Sequence, residues 1–305
     1  MRSKPWVCVS LLGMLSAFAP VAQAGLFSLS EQDEVAIGRQ AAAKVEQQVK
    51  LLSDWDARQY VSQLGIQLAR LSTRPNLPWR FRVIDDSQIN AFALPGGFIY
   101  VHSRVLQVVR SEAELAAVLA HEIGHIEGRH HKEKIEQAMR YQLGLGVLVT
   151  VLGHGGGSDA ARIAGRLLAE GELTRYSHEA ESDADRRGVA LLYRAGFDPM
   201  AMSRFLERLV ELEGNHANAS GGFFADHPSA SQRVAATRQM VAGYKAQQWR
   251  SDSLAFQRMS RRMHGFGGGS QGMQGQRLHP KPGAHIPRPG MSESLPGDRI
   301  RRSKP

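Results

Sequence analysis

The chain is expected to fold as α+β, mostly helical. Apolar and charged positions recur at helical spacing over long stretches of residues 28–247, with few breakers between them. Only two short runs, 81–84 and 97–102, are rich in β-branched and aromatic residues and read as strands. The best-signalled helix also carries the one motif whose spacing implies chemistry, His121-Glu122-Ile123-Gly124-His125.

The elements follow from the N-terminus. Residues 1–24 have the form of a secretory signal: Arg2 and Lys4 lead an apolar stretch at 7–21, and Ala22-Gln23-Ala24 supplies a small-x-small cleavage pattern. Gly13 and Pro20 interrupt that stretch, which falls short of the roughly 20 residues that span a bilayer. The only cysteine, Cys8, lies inside it, so the exported protein is expected to have no disulfide and no cysteine metal ligand. Residues 28–71 read as helical, and Pro75-Asn76-Leu77-Pro78 breaks the pattern. Pro95-Gly96-Gly97 marks a turn before the second strand.

A long helix is predicted over 111–137. Ser111 is its N-cap, Glu114 completes a capping box, and Leu115, Val118, Leu119, Ile123 and Ile126 form its apolar face. The apolar run at 143–152 ends in His154 and a glycine-rich break at 153–157. Further helices are expected over 160–168, over 179–195 closed by Gly196, over 199–212 behind the Asp198-Pro199 cap, and over 229–247 behind Pro228. Residues 25–250 are thus expected to form one domain, and 251–305 a helix end followed by a tail.

The formal charge of +9 belongs mainly to that tail. Residues 25–260 hold 27 basic and 27 acidic side chains, whereas 261–305 hold nine basic and two acidic ones. A neutral folded part argues against a nucleic-acid-binding protein, whose positive field sits on a folded face. The nine glycines and six prolines of 261–305 show no periodicity, the composition of a disordered segment.

On a helix, His121 and His125 share one face about 6 Å apart, so both imidazoles can reach a single Zn²⁺. Glu122, about 100° round the axis, can contact the metal's water without ligating the ion. A catalytic zinc usually has three protein ligands, so one is still needed. The acidic run Glu179-Ala180-Glu181-Ser182-Asp183-Ala184-Asp185 offers it. Glu181 and Asp185 are four apart, one suited to the metal and the other to the free N–H of a ligating imidazole. Spacing alone leaves Glu179, Glu181 and Asp185 open. His130, His131 and His154 read as surface histidines.

At this point the sequence resembles a known family, the HtpX, BepA and LoiP type of zinc metallopeptidases, relatives of the type 1 CAAX prenyl proteases. Asn90-Ala91-Phe92-Ala93-Leu94-Pro95-Gly96-Gly97 resembles the family's segment before the zinc helix. Tyr176-Ser177-His178-Glu179-Ala180-Glu181-Ser182-Asp183-Ala184-Asp185-Arg186 resembles its E-x-x-x-D helix, and His227-Pro228 with Arg233 resembles a later H-P-x-x-x-x-R. The resemblance covers about residues 30–245.

It implies a gluzincin-like domain with a small sheet packed on the H-E-x-x-H helix. By the same resemblance, one zinc is held by His121, His125 and Glu181, with Glu122 as the base and Asp185 behind a ligand. His227 is implied near the metal, stabilising an oxyanion or capping the ion. Asn90, Ala91 and Phe92 are implied as the strand on which an extended substrate lies. His178 stands where the family usually has arginine. Together with the signal, the resemblance implies an endopeptidase that removes misfolded or stalled envelope proteins in a periplasm, and it allows contact with a membrane face. A zinc-bound holdase with little proteolysis is the alternative, although a holdase has no need of Glu122. A purely structural zinc is a third reading.

Overall fold

A computed structural model of the chain describes residues 28–144, 157–214, 226–227 and 230–266. The signal at 1–24, most of the apolar run at 143–152, His154, Pro228 and residues 267–305 lie outside the described residues.

Two helices open the fold, α1 (Glu31–Gln48) and α2 (Trp55–Ala69), followed by β1 (Arg80–Ile84), β2 (Ala91–Leu94) and β3 (Phe98–His102). A short α3 (Ser103–Val108) leads into α4 (Glu112–Glu127) and α5 (His130–Gly144). Then come α6 (Gly157–Ala169), α7 (His178–Arg194), α8 (Met200–Gly214), α9 (Ala230–Ala242) and α10 (Leu254–Phe266). The mostly helical α+β expectation holds.

Four sequence expectations need correction. The helix expected over 28–71 is two helices, because Val49 turns extended and residue 51 bridges to Ile84 of β1. The helix expected over 111–137 breaks after Glu127, where Arg129 takes φ +56°, so α5 begins anew at His130. Ser111 caps α4 through the Glu114 N–H at 3.2 Å, but the Glu114 carboxylate accepts from the Arg110 N–H at 2.8 Å instead of closing a box on Ser111. Finally, the segment after 250 holds a separate helix where only a helix end was expected, and that helix runs past residue 261, where the tail was expected to begin. α10 buries Phe256, Met259 and Met263, and Arg262 bonds Asp54 at 3.0 Å. The folded part therefore reaches Phe266.

The sheet has the order β1-β3-β2, with β1 parallel and β2 antiparallel to β3. Both faces are covered. Phe81, Val83, Ala91, Ala93, Ile99 and Val101 enter the core that includes α4, α7 and α8. Phe92, Leu94, Phe98 and Tyr100 enter a second core with α1, α5 and α6. This is the period-two alternation of a strand with an apolar layer on each side. Gly96 and Gly97, at φ +74° and +106°, supply the hairpin turn that a side chain would strain.

Every residue of α4 is buried, so the helix runs through the middle of the fold. α7 packs along it at contact distance. A Cβ on Gly124 would lie 2.6 Å from the Ala184 carbonyl oxygen, and one on Gly188 would lie 3.3 Å from the His121 backbone nitrogen. The glycines bring the two backbones together, and with them the side chains described next.

Candidate metal centre

α4 and α7 each contribute half of one polar cluster inside an otherwise apolar interior. From α4, His121 and His125 project their Nε2 atoms to within 3.0 Å of each other. From α7, Glu181 brings Oε1 to 3.3 Å from His125 Nε2 and Oε2 to 3.6 Å from His121 Nε2. His227 closes the group, its Nδ1 2.9 Å from Glu181 Oε1 and 3.3 Å from His121 Nε2. One donor atom from each of the four lies within 4.8 Å of all the others, and all four residues are buried. Such a set can hold a metal ion. Of the three open carboxylates, Glu179 is exposed in the first turn of α7 and stands outside the group.

Asp185 sits behind His121, its Oδ1 2.9 Å from Nδ1. That bond favours the proton on Nδ1, so that Nε2 turns its lone pair toward the cluster. Asp185 is itself gripped by Arg233, which donates from Nε and Nη2 at 2.7 Å each, while Nη1 donates to Glu181. Burial pushes the carboxyls of Glu181 and Asp185 up, but Arg233 and the neighbouring histidines outweigh it and hold both below the ordinary range. The same two carboxylates, working against burial, keep the Arg233 guanidinium charged. Burial drives His125 well below its usual value, so its ring is neutral.

Glu122 differs. Its side chain is fully buried, and neither carboxylate oxygen has a hydrogen-bond partner among the described residues. Burial raises its pKa, against the opposing pull of His227 and His121. The nearest cation-capable group is His227, whose Nε2 is 3.5 Å from Glu122 Oε1. Burial lowers His227, yet the Glu181 and Glu122 carboxylates overcome it and raise the ring to about 9.

Ala91 and Phe92 lie on β2, at the edge of the sheet, and Asn90 immediately precedes it. The His102 N–H bonds the Asn90 carbonyl at 2.9 Å, so the antiparallel register turns the Ala91 and Ala93 carbonyls away from β3. Both meet histidines: Ala91 O is 3.3 Å from His227 Nε2, and Ala93 O is 2.9 Å from His131 Nε2. Phe92 points into the second core and stacks on Tyr100.

Several residues here escaped the sequence reading. His130 and His131, expected on the surface, are 7% and 2% exposed. The break at Arg129 turns α5 back toward α4, and His130 Nδ1 comes to 2.9 Å from His125 Nδ1. Tyr176 stacks on His125 with ring centroids 3.6 Å apart and puts its hydroxyl 2.6 Å from His131. Asp226 accepts from Asn90 Nδ2 at 2.9 Å and, through its carbonyl, from the Tyr176 N–H at 3.2 Å. Arg233 had only a place in a motif. Its signal was the arginine itself, the first charged side chain after His227 in an otherwise uncharged stretch.

The described helices include none long and apolar enough to cross a membrane. The sequence model for peptidase family M48 matches residues 56–241. The chain is 32% identical over 216 residues to the β-barrel assembly-enhancing protease of Yersinia pestis, covering 69% of this chain and 44% of that one. Against the protein of the same name from Escherichia coli K12 the identity is 30% over 216 residues, with the same coverage. Against the mitochondrial metalloendopeptidase OMA1 of Schizosaccharomyces pombe it is 34% over 175 residues, 57% of this chain and 50% of that one. The chain spans half or less of the length of these relatives.

Proposed function

The chain belongs to peptidase family M48, and we propose on that footing that it is a zinc-dependent endopeptidase. The observation that carries the reading is the four-donor cluster beside a fully buried Glu122 whose oxygens accept no hydrogen bond among the described residues. The residues fit zinc. Imidazole nitrogen and carboxylate oxygen are its ordinary ligands, and bond lengths near 2.1 Å place tetrahedral donors about 3.4 Å apart. The separations between His121 Nε2, His125 Nε2 and the Glu181 oxygens run from 3.0 to 3.6 Å. A buried carboxylate that accepts no hydrogen bond is costly unless it serves chemistry.

His121, His125 and Glu181 would hold the ion, and Asp185 would orient His121. When bound, zinc supplies Lewis-acid chemistry, polarising the scissile carbonyl and acidifying water. Glu122, raised by burial toward the working pH, takes a proton from water and returns it to the leaving amine. The edge strand that starts at Asn90, Ala91 and Phe92 is where an extended peptide would pair by its main chain, through the outward groups of Ala91 and Ala93, whose carbonyls His227 and His131 hold in this conformation. His227 stands where a substrate carbonyl has to enter and also holds the Ala91 carbonyl, so it caps the site in this conformation and must withdraw before cleavage.

The substrates we assign are unfolded or stalled proteins of a bacterial cell envelope, met in the periplasm. Support comes from the signal-like residues 1–24 and from relatives named as proteases that enhance β-barrel assembly. The test is digestion of an unfolded protein by the full chain and by Glu122→Gln. The expected result is zinc retained at about one per chain in both and cleavage lost in the variant. Equal turnover by Glu122→Gln would sink the proposal.

A further inference from the structure

We propose that His130 is the positioning residue for the metal ligand His125, as the middle member of a His125–His130–Asp183 hydrogen-bond chain. The inference rests on the metallopeptidase reading and deepens it. A ligating imidazole needs a partner on its other nitrogen to fix its tautomer and ring angle. His121 finds a carboxylate, Asp185. His125 Nδ1 instead meets His130 Nδ1 at 2.9 Å, and His130 Nε2 lies 3.3 Å from Asp183 Oδ2.

The protons can be placed from the metal outward. If His125 Nε2 gives its lone pair to the ion, its proton sits on Nδ1 and is donated to His130 Nδ1. That nitrogen must then accept, so the His130 proton sits on Nε2 and points at Asp183. Asp183 accepts it as an ionised carboxylate, anchored in turn by Arg186 and by Arg187 at 2.5 Å. Each link has one donor and one acceptor. The single helix α7 thereby supplies three carboxylates with three tasks: Glu181 for the ion, Asp185 behind His121, and Asp183 at the end of the chain behind His125.

The backbone is built around this arrangement. On an unbroken helix, residue 130 would lie about 140° round the axis from His125 and face away. Arg129 is instead the only non-glycine with positive φ among the described residues, at +56°, and this break swings His130 back. Gly128, just before it, has ordinary helical φ, yet a Cβ there would fall 2.4 Å from His130 Nε2 and 2.8 Å from Asp183 Oδ2. Only hydrogen fits beside the chain.

The experiment measures Zn²⁺ affinity of the full chain by competition with a chromophoric chelator at fixed pH, with helicity and melting of the stripped proteins followed in parallel. His130→Ala should bind zinc about 10–100-fold more weakly than wild type. Asp183→Asn, a nearly isosteric change, should weaken binding severalfold in the wild-type background and not at all in the His130→Ala background. A merely structural role would not produce that dependence. If His130→Ala does not fold, Gly128→Ala decides. The backbone there accepts alanine, so weakened binding would support a displaced ring and unchanged binding would overturn the proposal. Wild-type affinity in His130→Ala, or an Asp183→Asn effect that ignores the ring, would also overturn it. A wild-type chain that binds no zinc would be a separate failure, that of the metallopeptidase reading beneath.

Discussion

Replacing Arg233 with methionine removes a cation that faces two buried carboxylates while keeping most of the side chain's length. Arg233 is 6% exposed and donates three hydrogen bonds, two to Asp185 at 2.7 Å and one to Glu181. Charge-assisted bonds contribute about 1.5–3 kcal/mol apiece, but three bonds from one group are not additive. The better guide is the cost of stranding one partner of a buried pair, about 3–5 kcal/mol. Relief by protonation caps the cost, since burial already presses the Asp185 carboxyl upward and only Arg233 and His121 hold it down. We therefore expect a loss of about 3–5 kcal/mol for metal-free Arg233→Met, against a typical domain stability of about 5–15 kcal/mol. Urea denaturation of chelator-treated protein at neutral pH, followed by far-ultraviolet circular dichroism, measures it. Adding Asp185→Leu should restore part of the loss by removing a stranded charge. A loss below about 1 kcal/mol would refute this electrostatic reasoning, because it is the scale of an exposed pair.

Other outcomes follow from the same packing and charges. Gly124→Ala gains about 1 kcal/mol of helix propensity but sets a Cβ 2.6 Å from the Ala184 carbonyl oxygen, so it should be net destabilising by about 2 kcal/mol. Gly188→Ala meets the mobile end of Met202 first and should cost less, and denaturation curves ranking the two the other way would contradict the packing. The His102 ring holds the Asp86 carboxyl below its usual range, with the Gln88 N–H assisting and burial opposing. A depressed carboxyl stabilises the fold above its unfolded value near 3.9 and stops doing so as pH falls through the folded one. Asp86→Asn should thus melt below wild type at pH 7, by no more than about 1 kcal/mol, and converge with it as pH falls through the depressed folded-state value. If His227 caps the metal, His227→Ala should keep its zinc and cut an unfolded protein faster. Slower cutting would make it a stabiliser of the transition state.

The parts legible in the sequence were those whose signal is local. His121 and His125 share a face because helical geometry says so, and Asp198 and Gly196 mark helix ends by their own chemistry. β2 was seen only through a motif, because Ala91-Phe92-Ala93-Leu94 has no β-branched residue to announce a strand. α10 was hidden because Phe256, Met259 and Met263 recur at helical spacing just ahead of a glycine- and proline-rich stretch that swamps them in any window. His130 and His131 were misplaced for one reason. A single left-handed residue, Arg129, redirects everything after it, and arginine carries no advance mark of that conformation. Arg233, Tyr176 and Asp226 matter through partners 45 to 136 positions away in the chain, which no spacing rule reaches. Choosing Glu181 over Glu179 required knowing which side of α7 meets α4, and Gly124 and Gly188 set that contact.

Anomalous diffraction at the zinc absorption edge, on crystals of the zinc-loaded chain, locates the ion without reference to activity. A single peak about 2.1 Å from His121 Nε2, His125 Nε2 and a Glu181 oxygen is the expected result. A peak elsewhere, or none at full zinc occupancy in solution, would contradict the proposal that α4 and α7 meet to hold a catalytic metal.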